Sequence, residues 1–547
     1  MSSTDSSWRS DAESSILLKA VSQWRGDSTS WFEGSFDRLP ETVRVNPLSF
    51  EREWIESWLR SVGGREIPWF SGCGSAWEMP FPRGGAEGDS RKILKALHDT
   101  GRITRQEAVS MLPVLALAPK PGATVLDLCA SPGSKTTQIC EHLGDSGVVI
   151  ANEVVRGRVN TLVSNIQRHS SRPAVVVQHD GRHIPKVPSS GFDYVLADVP
   201  CTGSGTTRKN PEVWKKWLPS SGVSMHSLQF DLLRRAIAVA KPGGRIVYST
   251  CSLDPIENEA VVSRAISEGL AKVIPGGDIL PKVPSEPGMT NWPILDDSGI
   301  ISEVSPEFDF LKPPEDDEIS SQLEGCLRVW NHLIDGGGFF LAILEKEGVE
   351  VNMEFDSKVI IDDRTDPESA PVPVNKTLRS LLCESWGSVP RDIWTRGKSI
   401  LWSTAEVERI WSSERSRRSG KILIPGDRWR PLKVIHLGLI CARIRKGRVE
   451  RLVSKAARRL SKEITEPFVR VKSSLIHDIL LGEEPSTEQI GFTPKEKGSF
   501  VLVGDDGACL PVWIGSRVTP MINESEKTIL RASMGLTVSD MVSEKEV

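Results

Sequence analysis

Residues 244–259 read GRIVYSTCSLDPIENE, and the contrast between the two halves of this stretch decides the fold of the central chain. Its first half, through Tyr248, is a short apolar run opened by the turn Lys241-Pro242-Gly243-Gly244, the pattern of a buried strand in a parallel sheet. Past the strand end the chain turns polar: Cys251, then Asp254-Pro255, then Glu257-Asn258-Glu259 at the start of a helix. In open α/β sheets the carboxyl ends of strands face the ligand crevice. Cys251 is therefore a candidate nucleophile, although a cysteine at a strand end is more commonly a small buried hydrophobe. A second stretch, FDYVLADVPCTGSG at 192–205, repeats the arrangement with Asp198 and Cys201 at its polar end. Two neighbouring strands would then present a carboxylate and two thiols to one crevice.

Working outward, residues 124–129, 148–152, 174–178, 194–197 and 245–248 read as strands, with helices over 136–143, 158–169 and 224–240 between them. That alternation predicts a doubly wound α/β sheet with right-handed crossovers. Residues 336–344 (GGGFFLAIL) read as a late antiparallel edge strand. Residues 99–116 read as a helix, with Thr104 as N-cap and Glu107 three residues on. The chain divides into a disordered segment 1–29, an α/β appendage 30–115, a central domain 116–347, an acidic, proline-bearing linker 348–374, and a mostly β domain 375–547. Strands of that last part are expected near Ile422 and over 434–440, 500–503 and 510–514.

A chain of 547 residues with 39% hydrophobic and 26% charged content is ordinary for a soluble globular protein. It shows neither an apolar run of about 20 residues nor a secretory leader. Nine scattered cysteines with no zinc-type spacing point to a reducing compartment, with no disulfide framework and no metal. The net charge of −4 conceals a basic block at 396–462, with 19 Lys+Arg against 5 Asp+Glu. That block is +14, which leaves −18 for the rest of the chain. Such an asymmetry suggests a polyanionic partner such as nucleic acid, the alternative being a solvated helix face. Trp394, Trp402, Trp411 and Trp429 interleave with these charges, either to stack on bases or to fill a core.

The cofactor signal lies in the turn after the first strand: Cys129, Ala130, Ser131, Pro132, Gly133, Ser134 and Lys135. It lacks the paired glycines of a P-loop and the three-glycine dinucleotide fingerprint. What remains is the turn plus acids at the ends of later strands: Glu153, Asp180 and Asp198. A carboxylate after the second strand suits a ribose diol, and one after the third can accept from an adenine amine. S-adenosylmethionine satisfies that set, while each acid by itself is equally a helix cap.

CASPGSKT (129–136), ADVPCTGSGTTRKNPEVW (197–214) and YSTCSLDPIENEA (248–260) closely resemble the motifs of the Sun family of RNA (cytosine-5-)-methyltransferases. LPETVRVNP (39–47), GRITRQEAVSMLP (101–113) and GGGFFLAIL resemble its branch that modifies tRNA at several sites, and the resemblance spans about residues 36–346. It implies a Rossmann-like methyltransferase domain that takes S-adenosyl-L-methionine, an RNA-facing appendage, and a C-terminal domain similar to the PUA RNA-binding fold. It also implies roles. Cys251 matches the nucleophile that adds to ring position 6 of cytosine, and Cys201 the cysteine that assists release. Asp198 matches the residue at the ring nitrogen. Residues Cys129 to Lys135, with Glu153, Asp180 and Asp198, match the cofactor contacts, and Ser131 stands where the family usually has alanine.

The chemistry explains the need for these groups. Position 5 of cytosine is a poor nucleophile until a thiolate adds at position 6, so covalent catalysis divides one hard step into two. Lys135 can favour the Cys251 anion, a protonated Asp198 can stabilise charge at the ring nitrogen, and Cys201 can serve when the proton at position 5 leaves. Arg208, Lys209 and Asn210 are placed to hold flanking phosphates. The expectation is thus a monomeric, non-membrane tRNA methyltransferase of the cytoplasm, the nucleus being the other compartment considered. The alternatives are an rRNA substrate, or a non-catalytic RNA-binding factor on the same fold.

Overall fold

A computed structural model of the protein describes residues 3–347, 359–417, 421–492, 494 and 497–536. At its centre is a ten-stranded sheet. In chain order the strands are β1 (Thr124–Asp127), β2 (Val148–Asn152), β3 (Ala174–Val177), β4 (Phe192–Asp198), β5 (Ala240–Thr250), β6 (Ala271–Ile274), β7 (Glu286–Pro287), β8 (Leu327–Val329), β9 (Phe339–Lys346) and β10 (Val434–Leu437). Their spatial order is β7-β8-β9-β5-β4-β1-β2-β3-β10, with β6 pairing the second half of β9. Strands β1 to β5 run parallel. β1, β2 and β3 are buried along their whole length, as expected of strands covered by helices on both faces. Strand order reverses between β1 and β4, so their carboxyl ends open a crevice. The doubly wound sheet read from the sequence is the one observed.

Four expectations need correction. β9 is antiparallel to β5 as expected, yet it is no edge, because β8 and β7 lie beyond it. Its first six residues are buried on both faces, which is the mark of an interior strand. The helix expected over 99–116 is broken. A helix Gly88–Asp99 ends first, Ile103–Arg105 pairs with the strand Pro40–Val45, and a short helix follows at Leu112–Leu117. Thr104 sits opposite Arg44 in that pairing, so strand hydrogen bonds displace the capping box.

The segment expected to be disordered carries helices Ser3–Glu13 and Ile16–Arg25. In the second, Leu17, Ala20, Val21 and Trp24 recur at helical spacing and are buried. Trp24 meets Trp217 edge-on at 5.6 Å, and Trp31 meets Trp214 at 5.4 Å. The serine-rich flanks hide this stripe from a compositional reading.

Residues 434–440, assigned above to the terminal domain, divide between two sheets. Val434–Leu437 becomes β10 on the central sheet, while Leu439–Arg445 joins a five-stranded C-terminal sheet. A further four-stranded sheet contains Gly498–Gly504 and Cys509–Ile514. Of the expected linker, 348–358 lies outside the described residues. The remainder is pinned to the basic block: Asp362 accepts from Arg364 and Arg417, and Asp366 from the backbone N–H groups of Trp429 and Arg430.

Candidate active site

The two cysteines converge. Backbone pairing of β4 with β5 sets Asp198 beside Ser249, and the loops that follow bring Cys201 Sγ to 3.3 Å from Cys251 Sγ. A close approach holds the second loop: Gly205 N–H donates to the Cys251 carbonyl, and a side chain at 205 would meet the Gly338 carbonyl at 2.5 Å. Lys135 Nζ lies 2.9 Å from Asp198 Oδ2 and donates to Ser110 at 2.9 Å. The Ser249 hydroxyl donates to the other Asp198 oxygen at 2.8 Å. The carboxylate thus faces the crevice as half of an ion pair. Lys135 also lies over the Phe339 ring, 5.7 Å from its centroid.

The hydrogen bond with Cys251, then burial, then the charges of Cys251 and Glu257 push the Cys201 thiol well above its ordinary range. Burial works against the charge on Lys135, but Asp198 outweighs it and raises the ammonium. Burial also raises Cys129 and pushes Asp127, which accepts the Thr136 hydroxyl at 2.6 Å, up to about 7.

The turn after β1 leads into the helix Ser134–Leu143. Gly133 has φ +110°, and a side chain there would meet Leu162 at 2.9 Å, so only glycine fits. Ala130 N–H donates to the Asn152 carbonyl, and the Pro132 carbonyl accepts from Asn165 at 2.7 Å. The Ser131 hydroxyl donates to the Arg158 carbonyl at 3.2 Å, so the residue that departs from the family's alanine ties the turn to the next helix. Glu153 is buried, accepts the Val155 N–H at 2.8 Å and lies 3.4 Å from Arg158. Exposed Val154 and Val155 beside it offer an apolar face next to a carboxylate, which suits a ring carrying a diol. Asp180 caps the turn Gly181–His183 and is paired with Arg182 at 2.6 Å, whose hydrogen bond lowers it.

A cavity of about 330 Å³ opens above these groups, lined by Pro132, Gly133, Ser134, Lys135, Asp198 and Cys251 among others. Cys201, Cys129, Ala130, Ser131, Glu153 and Asp180 lie outside its lining, Cys201 behind Cys251 and the others at the neighbouring strand ends. The structure therefore joins Cys251 to Cys201 and Asp198 to Lys135 by direct contact and sets Cys251, Asp198 and Lys135 around one cavity, while Glu153 and Asp180 stand apart from its lining.

Arg208 does not reach toward a substrate. It is paired with Asp335 at 2.7 Å and donates to the carbonyls of Asp37 and Gly336, whereas Lys209 lines the cavity. The tryptophans of the basic block are core residues: Trp394 stacks on Trp429 at 5.5 Å and meets Trp411 edge-on, and Trp402 lies 3.9 Å beneath Arg172. Sequence reasoning missed Ser110 and Phe339, which touch Lys135, although both stood in quoted stretches. It missed Asn152 as well, which donates to the carbonyls of Leu128 and His179 and so fastens three strand ends. Glu257 was seen only as the opening of a helix.

A switch-point crevice with a glycine turn and acids on successive strand ends defines a methyltransferase domain of the Rossmann-like class. The sequence profile described as 16S rRNA methyltransferase RsmB/F matches residues 114–273. The chain is 34% identical over 251 residues to the tRNA (cytosine(49)-C(5))-methyltransferase of Pyrococcus abyssi, covering 45% of this chain and 77% of that protein. It is 35% identical over 358 residues to the multisite-specific tRNA:(cytosine-C(5))-methyltransferase of Saccharomyces cerevisiae, covering 60% and 51% respectively. It is also 30% identical over 415 residues to the ribosomal RNA small subunit methyltransferase F of Serratia proteamaculans, covering 73% and 77%. The chain belongs to the Sun family of RNA (cytosine-5-)-methyltransferases. It spans about half the length of the fungal and insect relatives it matches.

Proposed function

We propose that this protein methylates carbon 5 of cytosine in tRNA, with S-adenosylmethionine as methyl donor. The observation that carries the reading is the pair of sulfurs 3.3 Å apart, one of which lines the same cavity as the Lys135–Asp198 pair. The Gly133 turn and Glu153 would hold the cofactor, with Asp180 at its far end. When bound, it supplies an electrophilic methyl carbon.

The chain's own residues divide the remaining work. Cys251 forms the bond to ring position 6, which pushes electron density to position 5. Cys201, raised by its hydrogen bond with Cys251 and by burial, keeps its proton meanwhile beside the Cys251 sulfur. Once that sulfur is bonded to carbon, both its charge and its acceptor strength are spent. The two influences that hold the Cys201 proton most specifically then vanish, so the thiol can release that proton to solvent, and the thiolate left behind takes the proton from position 5. Loss of that proton restores the ring double bond and expels Cys251. A base reaches this crevice only when turned out of its stack, which loops and stem edges of RNA make cheaper.

The C-terminal sheets are read as an RNA-holding, PUA-like part. Their hairpin of Leu439–Arg445 and Arg448–Leu452 sets Arg443 opposite Arg451, both exposed, and Trp513 is exposed on the other sheet. Like charges opposite one another cost stability unless a polyanion neutralises them. An rRNA substrate is the second reading, favoured by the names of the matching profile and of the Serratia relative. The test is transfer of labelled methyl groups to tRNA and, separately, to rRNA. Label in tRNA at a bisulfite-resistant cytosine supports the proposal; label in rRNA alone supports the second reading, and label in neither sinks both.

A further inference from the structure

Glu257 is fully buried, and both its oxygens only accept. Oε2 takes the backbone N–H of Thr202 at 2.9 Å and the Gln229 amide at 2.8 Å. Oε1 takes the hydroxyls of Thr202 and Ser252. The proton inventory closes. Trp217 Nε1 donates to the Thr202 hydroxyl at 3.0 Å, and the Ser204 hydroxyl, already accepting from Leu253 N–H at 2.7 Å, is free to donate to Ser252 at 2.9 Å. Both hydroxyl protons are thereby left for the carboxylate. Thr202 follows Cys201 and Ser252 follows Cys251. One side chain therefore grips the residue after each cysteine.

We infer that Glu257 is a positioning residue that sets the separation of the two sulfurs by tying both cysteine loops to a single carboxylate. This rests on the reading of Cys251 as nucleophile and Cys201 as release group. The alternative, a helix-opening acid of purely local use, fails on geometry, because two of its four donors come from the loop after β4, 55 positions away in sequence. A bond of this kind matters because displacing a reacting atom by about 1 Å can cost 10²-fold in rate. The same negative charge is among the causes that keep Cys201 protonated.

The test variant is Glu257→Gln, which keeps the shape. Its carbonyl can still accept from Thr202 N–H and Gln229, but its amide sets protons against two hydroxyls whose own protons point at it, so the tie at Oε1 is lost. The expected result is a fall in kcat of about 10²-fold with KM for tRNA and for the methyl donor within twofold of the parent. In the Cys251→Ser background, where no RNA is needed, iodoacetamide alkylation of Cys201 should move its pH midpoint down by about one unit when Glu257→Gln is added. An unshifted midpoint, or a kcat within twofold of the parent, overturns the inference. Because the alkylation assay uses no substrate, it reports on Glu257 even if the parent methylates no RNA. Should Glu257→Gln fail to fold, Ser252→Ala removes one donor only, and a parent-like kcat there overturns the inference as well.

Discussion

Asp127 is a buried carboxyl, and burial, working against the Thr136 hydrogen bond, carries it from the usual carboxylate range up to about 7. The folded chain therefore holds the proton more tightly than the unfolded one. Its contribution to stability is complete below the unfolded pKa near 3.8 and is lost as pH rises through 7. Asp127→Asn should accordingly gain on the parent by up to about 1.4 kcal/mol for each unit between pH 4 and 7, and no further above that, in urea titrations at a series of pH values. The cysteines give a different signature. Cys251→Ala should lower methyl transfer by at least about 10³-fold. Cys201→Ala should instead accumulate a covalent protein–RNA adduct visible on denaturing gels. Exchange of these two outcomes would exchange the two roles. Both cysteines were legible because a thiol at the polar end of a buried strand is a local signal. Glu257 was not, since an acid before a helix reads as a cap and its real partners come from another loop.

At the scale of elements, the appendage is fastened to the cofactor turn through charge. Arg44, on the strand Pro40–Val45, lies 2.6 Å from Glu141 and donates to Thr137 at 3.1 Å, both on the helix Ser134–Leu143. His169 completes the cluster 2.9 Å from Glu141, and all three side chains are almost wholly buried. Truncating one partner leaves a charge uncompensated, so Arg44→Met should cost about 3–5 kcal/mol in denaturant unfolding, and Glu141→Gln a comparable amount. Such a link cannot be read from patterning, because Arg44 stands 97 positions from its partner in a stretch that reads as an ordinary strand. The same limit explains the helix wrongly expected over 99–116. Its capping box is a genuine local preference, and pairing of Ile103–Arg105 with Pro40–Val45 overrides it. The parallel strands β1 to β5 were legible because each is short, apolar and bounded by turns, which leaves no competing arrangement.

Taken whole, the molecule is laced together at β10, where chain from beyond residue 430 returns to pair with β3. Two histidines stand at this seam. His179 Nε2 accepts the Lys433 N–H at 2.8 Å, and His436 lies against Gln167 and the Gly438 carbonyl. Burial holds each near 4, so the neutral ring is the form that fits. The folded pKa lies below the unfolded value of 6.5, and the stability this confers is full above pH 6.5 and lost as pH falls toward 4. Protection factors at 434–437, the intrinsic exchange rate at each pH divided by the observed one, should therefore fall from pH 7 to pH 5, with unchanged protection counting against the seam. No sequence pattern foretells a strand that leaves one sheet for another two residues later. Yet that detour decides how the protein can be cut. A fragment stopping at residue 374 looks like a natural catalytic unit, but it would bare the backbone of β3 as an open lip on which other copies can stack. It should come out of cells as aggregate, whereas supplying residues 375–547 in trans should restore a soluble pair. The Rossmann-like part of the chain borrows its selvedge from the other end.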